Sequence, residues 1–491
     1  MNLLAVILGF VIFAPVIYGV ASNVWRRPEV ISTPAWLAAA HTLFLFVGPL
    51  VTVLFFGAQD DASKGHIWSI VVVSILYFTT AALVYFGLWE GVLRHIVGAR
   101  TSMSALATLR QCVTSARPNE ILIAGGVLLS IMTYLNVAYA LNVSGGSDYF
   151  KMARLPYSIV VLNTLTTPLT LGLAAALAWL VTSRQQAYVK VAAAVLLLVL
   201  LGNTIPAGRR ELLWLICMIG LGVVWSGRKR LGIAAPFVFV SAYVVLFVFA
   251  PIFLRARLIY SSANSPGVVG AFQQAYNEQK TAVVDETSET LAENMAWRFN
   301  TLEFWGQMYE ERGPGSAQGE ILLQGVTMAL PRALVGFWKY RLGAVDEDIL
   351  GTIDICNSIP LESYIDLGYI GPLVYGAIFG LGYALADFFL ALTGFRFRVL
   401  AILSSSVLIR LLLGPEVNLI TTFSDFRTIL IYFLFASLIG IIFGRRPMSL
   451  VTDAGRAWPP SPVASGRMLA PAATPEPVGY ATPLAPPRGV A

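Results

Sequence analysis

The side chains of this sequence best suited to chemistry are cations in places that disfavour them. Ala207-Gly208-Arg209-Arg210-Glu211 sets two guanidinium groups in a short turn between apolar stretches. Arg410 lies within an apolar run, four residues before Gly414-Pro415, and Arg427 follows Ser424-Asp425 at the head of another. Arg298 fills the one vacancy in an apolar stripe formed by Leu291, Met295, Leu302, Trp305 and Tyr309. Arg332, Lys339 and Arg341 trail the apolar segment that begins at Gly319. Seven of these eight cations are arginine. A guanidinium stays charged and presents a planar fork of donors that matches paired phosphate oxygens, so the bias points to phosphate or diphosphate binding. A plainer reading stands beside it. An arginine in an apolar seam needs an anionic partner, which a nearby carboxylate would supply as well as a ligand, or it snorkels to water.

Carboxylates come next. Asp354, Glu362 and Asp366 flank the stretch from Asn357 to Pro372, which also carries Tyr364. Glu362 and Asp366 are four residues apart and share a face if the segment is helical. Beside cations they would serve either as a base for a hydroxyl or as neutralising partners for arginine. The three histidines, His41, His66 and His95, are scattered, and no Asp-x-Asp pair stands apart from the acidic run Asp346-Glu347-Asp348. No metal site is expected. A P-loop, a nucleotide fingerprint and a nucleophile elbow are all missing from the sequence, so no cofactor is expected either.

The elements that would hold these groups follow from composition. Of 491 residues, 57% are hydrophobic and 12% charged, about half the charge of a soluble domain. The mean hydropathy is +0.73. This excludes a soluble enzyme, a disordered chain and a nucleic-acid binder, the net charge of +6 notwithstanding. Apolar runs about the length of a bilayer core predict an all-α polytopic transmembrane helix bundle. About eleven spans can be drawn: 2–22, 35–57, 67–93, 120–142, 157–182, 190–206, 211–227, 232–254, 370–394, 399–414 and 427–444. The first has Arg26 and Arg27 after it and no basic residue before it, the reverse of a secretory signal. Alternating the connections then puts Arg94, Arg100, Arg110, Arg117, Arg184, Lys190, Arg228 to Arg230, Arg396, Arg398, Arg445 and Arg446 on one side. By the positive-inside rule that side is the cytoplasm, with the N-terminus outside and the C-terminus inside. Cys112, Cys217 and Cys356 lie too far apart in sequence to suggest a disulfide framework.

Four regions are expected: a bundle of eight spans over 1–254, a long extracytoplasmic (periplasmic) loop over 255–369, three last spans over 370–446, and a disordered cytoplasmic tail over 447–491. The loop holds 15 acidic and 8 basic residues, and loops of such length are generally functional. In it, Thr290 and Glu293 form a capping-box signature that predicts a helix over 290–311. The segment 319–341 reads as an interfacial or re-entrant element. The tail carries 10 of the 26 prolines and no apolar period.

These motifs, in this order, resemble a known family. Gly208-Arg209-Arg210-Glu211 resembles its Gly-x-Arg signature, and Leu330-Pro331-Arg332 with Trp338-Lys339 its Ile-Pro-Arg to Lys stretch. Ser358 to Gly371, with Glu362, Tyr364, Gly368 and Gly371, is similar to its Ser-x-x-Gly-Glu-x-Tyr-x-Asn-Phe-Gly-x-x-Gly block. The family is that of the bacterial oligosaccharide repeat-unit polymerases, the O-antigen and exopolysaccharide polymerases. The resemblance covers about 200–430. Pro360-Leu361 replaces the glycine before the glutamate, and Asp366-Leu367 the usual Asn-Phe.

The resemblance implies a multi-pass glycosyltransferase of the bacterial inner membrane. It would move a growing glycan from undecaprenyl diphosphate onto a new lipid-linked repeat unit, without metal, to build O-antigen, capsule or exopolysaccharide. Its partners would be the undecaprenyl-diphosphate-linked oligosaccharide, membrane lipids, a chain-length regulator and a flippase; no nucleic acid is involved. On this expectation Glu362 is the catalytic base, with Arg210 and Arg298 catalytic beside it. The diphosphates are held by Arg209, Arg210, Arg298, Arg332 and Arg427, and then by Lys339, Arg341 and Arg410. Asp354, Asp366 and Tyr364 are further candidates. A ligase moving finished glycan would need the same cradle. A flippase or exporter of lipid-linked sugars would carry charge deep in several spans, where Arg410 is the main inward cation.

Overall fold

The computed structural model describes residues 3–24, 27, 30–47, 63–97, 104–142, 162, 166–204, 209–227, a few positions between 236 and 259, then 267–281, 301–329, 358–413 and 419–442. The chain divides into two units, Met1–Arg446 and Pro447–Ala491; the second, with the expected tail, lies outside the described residues. Described residues of the first unit are helical almost throughout. The elements are α1 (Leu3–Asn23), α2 (Thr33–Thr42), α3 (Ser63–Leu88), α4 (Ala105–Ser115), α5 (Pro118–Asn142), α6 (Thr170–Thr182), α7 (Ala187–Thr204) and α8 (Arg209–Trp225). They continue with α9 (Gly267–Thr281), α10 (Thr301–Arg312), α11 (Glu320–Ala329), α12 (Ile359–Leu367), α13 (Gly371–Arg396), α14 (Arg398–Leu413) and α15 (Leu419–Ile442).

Local chemistry sets many boundaries. Ser32 opens α2 by accepting the Ala35 amide, with Pro34 in the first turn, and Ser104 opens α4 by accepting from Ala107. Each satisfies an amide that helix geometry leaves without a carbonyl. α3 widens into a π turn over Trp89–Leu93. A short 3-10 turn, Gly368–Ile370, joins α12 to α13.

Packing depends on missing side chains. α13 runs along α3 so closely that a Cβ on Gly376 would lie 2.7 Å from the Tyr77 carbonyl, and one on Gly380 2.5 Å from that of Ala81. This small-xxx-small spacing lets backbones meet where burial of apolar area adds little drive. α6 is treated alike from two sides: a Cβ on Gly172 would lie 2.0 Å from the Ile402 carbonyl, and one on Gly222 2.2 Å from that of Ala175. About two-thirds of the way along α13, buried Asp387 accepts the Thr33 hydroxyl at 2.6 Å and the Tyr85 hydroxyl at 2.7 Å, tying α2 and α3 to α13.

The protein is a multi-pass membrane protein, but the eleven expected spans are overturned. Among the described residues four helical stretches are long and apolar enough to cross a membrane: His66–Ile96, Pro118–Asn136, Ala187–Thr204 and Ile359–Thr393. The alternation built on eleven crossings, N-terminus outside and C-terminus inside, falls with the count. The physical reason is that hydropathy registers apolar residues and not helix continuity. Thr33–Phe46, Thr170–Thr182 and Glu211–Trp225 are apolar yet shorter than a span among the described residues. A helix of that length fits a protein core better than a bilayer. α6 is the clearest case, buried at ten of its 13 positions from Thr170 to Leu180.

Candidate functional site

α12 is short, and both of its carboxylates are fully buried. They lie one turn apart on one face, and each holds the start of a different helix. The Leu419 amide, first in α15, donates to Glu362 Oε2 at 2.8 Å. The amides of Ile321 and Leu322, at the start of α11, donate to Asp366 at 3.1 and 3.2 Å, and the Tyr375 hydroxyl donates at 2.7 Å. A carboxylate against a helix N-terminus gains both hydrogen bonds and the favourable end of the peptide dipoles. The two capped helices also meet, since a Cβ on Gly325 of α11 would lie 2.7 Å from the Leu419 side chain.

Glycines shape the surroundings of α12. Gly368 ends it at φ +65°, a left-handed conformation that favours glycine. A Cβ on Gly371 would fall 1.7 Å from the Ser363 carbonyl, so the corner into α13 admits no larger residue there. The turn between α10 and α11 lies against the last carbonyls of α12. Gly315, Ala317 and Gly319 donate to the carbonyls of Tyr364, Ile365 and Asp366 at 3.0, 3.1 and 3.3 Å. Carbonyls left over at a helix C-terminus thus find partners.

Within two turns of the head of α15 lies Asp425, 6% exposed. The charges of Arg410, from α14, and of Arg427, on its own helix, both act on it. Its Oδ2 is buried and has no hydrogen-bond partner among the described residues. The arrangement is one buried carboxylate, with an oxygen unpartnered among the described residues, under the charge of two half-buried guanidinium groups.

Tyr364 belongs to an aromatic layer. It stacks on Tyr309 at 4.0 Å between ring centroids and meets Tyr369 edge-on at 5.3 Å. Trp305 lies 6.4 Å from Tyr309 and 5.8 Å from His41, and His66 meets Tyr309 edge-on at 5.7 Å. Burial pushes the Tyr309 hydroxyl well above the ordinary phenol range, so it is no base near neutrality.

The expected site residues are therefore distributed as follows. Glu362, Asp366 and Tyr364 sit together on α12, and the charges of Arg410 and Arg427 both act on Asp425. Arg209 and Arg210 open α8, but their side chains lie outside the described residues. Arg298, Arg332, Lys339, Arg341 and Asp354 lie wholly outside them, as does the expected capping box of Thr290 and Glu293. The structure adds Asp425 as a site residue in its own right; its signal was two residues away, in Arg427. It also adds Gln324, for which the sequence offered none. No group of three or more His, Cys, Asp or Glu side chains is arranged to hold a metal among the described residues. No protein-family profile, curated protein or solved structure matches the chain.

Proposed function

We propose that this protein is a bacterial inner-membrane glycosyltransferase that polymerises undecaprenyl-diphosphate-linked oligosaccharide repeat units at the outer face of that membrane. The observation that carries the reading is buried Asp425, with an oxygen unpartnered among the described residues and the charges of Arg410 and Arg427 acting on it. The resemblance of the Gly208-Arg209-Arg210, Pro331-Arg332 and Ser358–Gly371 segments adds to it. Arg209 and Arg210 also stand at the positive end of α8, where a bound anion would relieve them.

Cations mark the side of the membrane. Gly376 meets Tyr77, Gly380 meets Ala81 and Asp387 meets Tyr85, so α3 and α13 run in the same direction, and Arg94 shares an end with Arg396. Arg398 donates to the Ser115 carbonyl, which brings Arg117 to that end too. Such cations mark the cytoplasmic side, leaving α12 and the head of α15 on the other.

In the reaction, a hydroxyl oxygen of the acceptor sugar attacks the anomeric carbon of the donor glycan. The bond from that carbon to the diphosphate oxygen breaks, the diphosphate keeps the electron pair, and the hydroxyl proton passes to a carboxylate. Fixed guanidinium groups stabilise the growing charge of the leaving group, and one such donor is worth about 3 kcal/mol. Arg410 and Arg427 take this role, with Arg209, Arg210, Arg298 and Arg332 completing the grip on two diphosphates. Asp425 is better suited than Glu362 to take the proton, because Glu362 spends an oxygen on the Leu419 amide.

In cells lacking the wild-type gene, Asp425→Asn and Arg427→Ala should insert normally yet give glycans of a single repeat. Arg210→Ala and Arg298→Ala should behave alike. A normal ladder of lengths from Asp425→Asn would remove the base assignment, and one from all four variants the whole reading.

A further inference from the structure

Gln324 is a buried polar side chain without a hydrogen-bond partner among the described residues. It is 2% exposed on α11, and the lack extends to both its Oε1 and its Nε2. Buried amides are rarely left so, because each unpaired group forfeits the hydrogen bonds it made to water. The helix beneath it is firmly held, with its N-terminus on Asp366 and Gly325 pressed against Leu419 and Phe423. Neighbouring Thr327 gives no relief, since its hydroxyl donates to the Gln324 backbone carbonyl at 2.8 Å. A second orphan, Asp425 Oδ2, lies on α15, the helix against which α11 packs.

We propose that Gln324 binds two neighbouring hydroxyl groups of a pyranose ring and so reads the acceptor sugar. This inference rests on the polymerase reading and adds the chemical group recognised. A primary amide presents an acceptor and a donor side by side in one plane. Adjacent sugar hydroxyls answer both: one donates to Oε1 while its neighbour accepts from Nε2. A sugar-linked lipid diphosphate, ionised at neutral pH, offers Oε1 no donor, and a metal cation offers Nε2 no acceptor. A trans secondary amide points its two groups apart and satisfies only one. A site with such an amide also discriminates, since an analogue lacking a hydroxyl leaves it unpaired again.

The test uses the full chain in lipid nanodiscs, with two separate probes. One is undecaprenyl diphosphate; the other is a panel of methyl glycosides of glucose, galactose, mannose and rhamnose with their deoxy analogues. Gln324→Leu keeps the approximate volume and removes the polar atoms, so its folding should be unimpaired. Wild type should bind at least one glycoside and bind its deoxy analogue about tenfold more weakly. Gln324→Leu should bind that glycoside about tenfold more weakly too, with its affinity for undecaprenyl diphosphate unchanged. Equal glycoside binding by wild type and Gln324→Leu overturns the inference while diphosphate binding leaves the polymerase reading standing. If wild type binds no glycoside, the amide holds only ordered water and the inference falls. If glycoside binding depends on Gln324 but no diphosphate lipid binds, the sugar site stands and the polymerase reading falls.

Discussion

Two kinds of buried carboxylate meet near α15, and they differ in what their oxygens do. Glu362 and Asp366 satisfy helix N-termini, whereas Asp425 has an oxygen with no partner among the described residues. This separates their mutants. Glu362→Gln keeps an acceptor for the Leu419 amide, so its thermal midpoint and glycan ladder should both stay close to wild type. Glu362→Ala should lose about 1 kcal/mol, the usual value of an N-cap, measured by thermal unfolding in detergent. A Glu362→Gln protein of normal stability that makes no polymer would return the base role to Glu362. The sequence made the shared face of Glu362 and Asp366 readable, because i,i+4 spacing is a local property. It hid what they cap, since Leu419 is 57 positions from Glu362. Asp425 was overlooked for a related reason: a carboxylate beside an arginine in sequence reads as a charge pair, and only burial distinguishes it.

At the level of elements, backbone contact decides which helices pair. Gly380 meets Ala81, and Gly371 meets the Ser363 carbonyl, both inside ordinary contact distance for a Cβ. Gly380→Leu should therefore force α3 and α13 apart at a cost of about 3 kcal/mol or more. The check is its unfolding midpoint beside that of Gly87→Leu, since a Cβ at Gly87 meets nothing within 4 Å. Equal midpoints would show that the glycine contact contributes nothing. Helical class was legible in the sequence, as was the location of the four long apolar helices, because both follow from composition over long windows. The number of crossings was not. Thr170–Thr182 is as apolar as a span but too short for one, and its burial comes from α7, α8 and α14, partners no local window contains.

In the whole molecule α13, a 26-residue helix that rises about 39 Å, carries two separate groups: Tyr383 packs on Phe426, next to Asp425, and Asp387 follows about one turn further on. Asp387 links α2, α3 and α13 without touching the site. Asp387→Ala strands the Thr33 and Tyr85 hydroxyls and should cost about 2–4 kcal/mol, lowering the thermal midpoint. At permissive temperature its glycan ladder should keep its normal lengths; a shortened ladder in a well-folded variant would tie Asp387 to the reaction. The central claim, that guanidinium groups around Asp425 serve glycan transfer between lipid diphosphates, has one direct measurement. The purified protein is reconstituted in liposomes with an undecaprenyl-diphosphate repeat unit, with no nucleotide and no divalent metal, and the glycan is sized over time. Wild type should give products of two or more repeats and Arg427→Ala none. Repeat units that cross between leaflets unchanged, or that stay single beside intact wild-type protein, would contradict that claim.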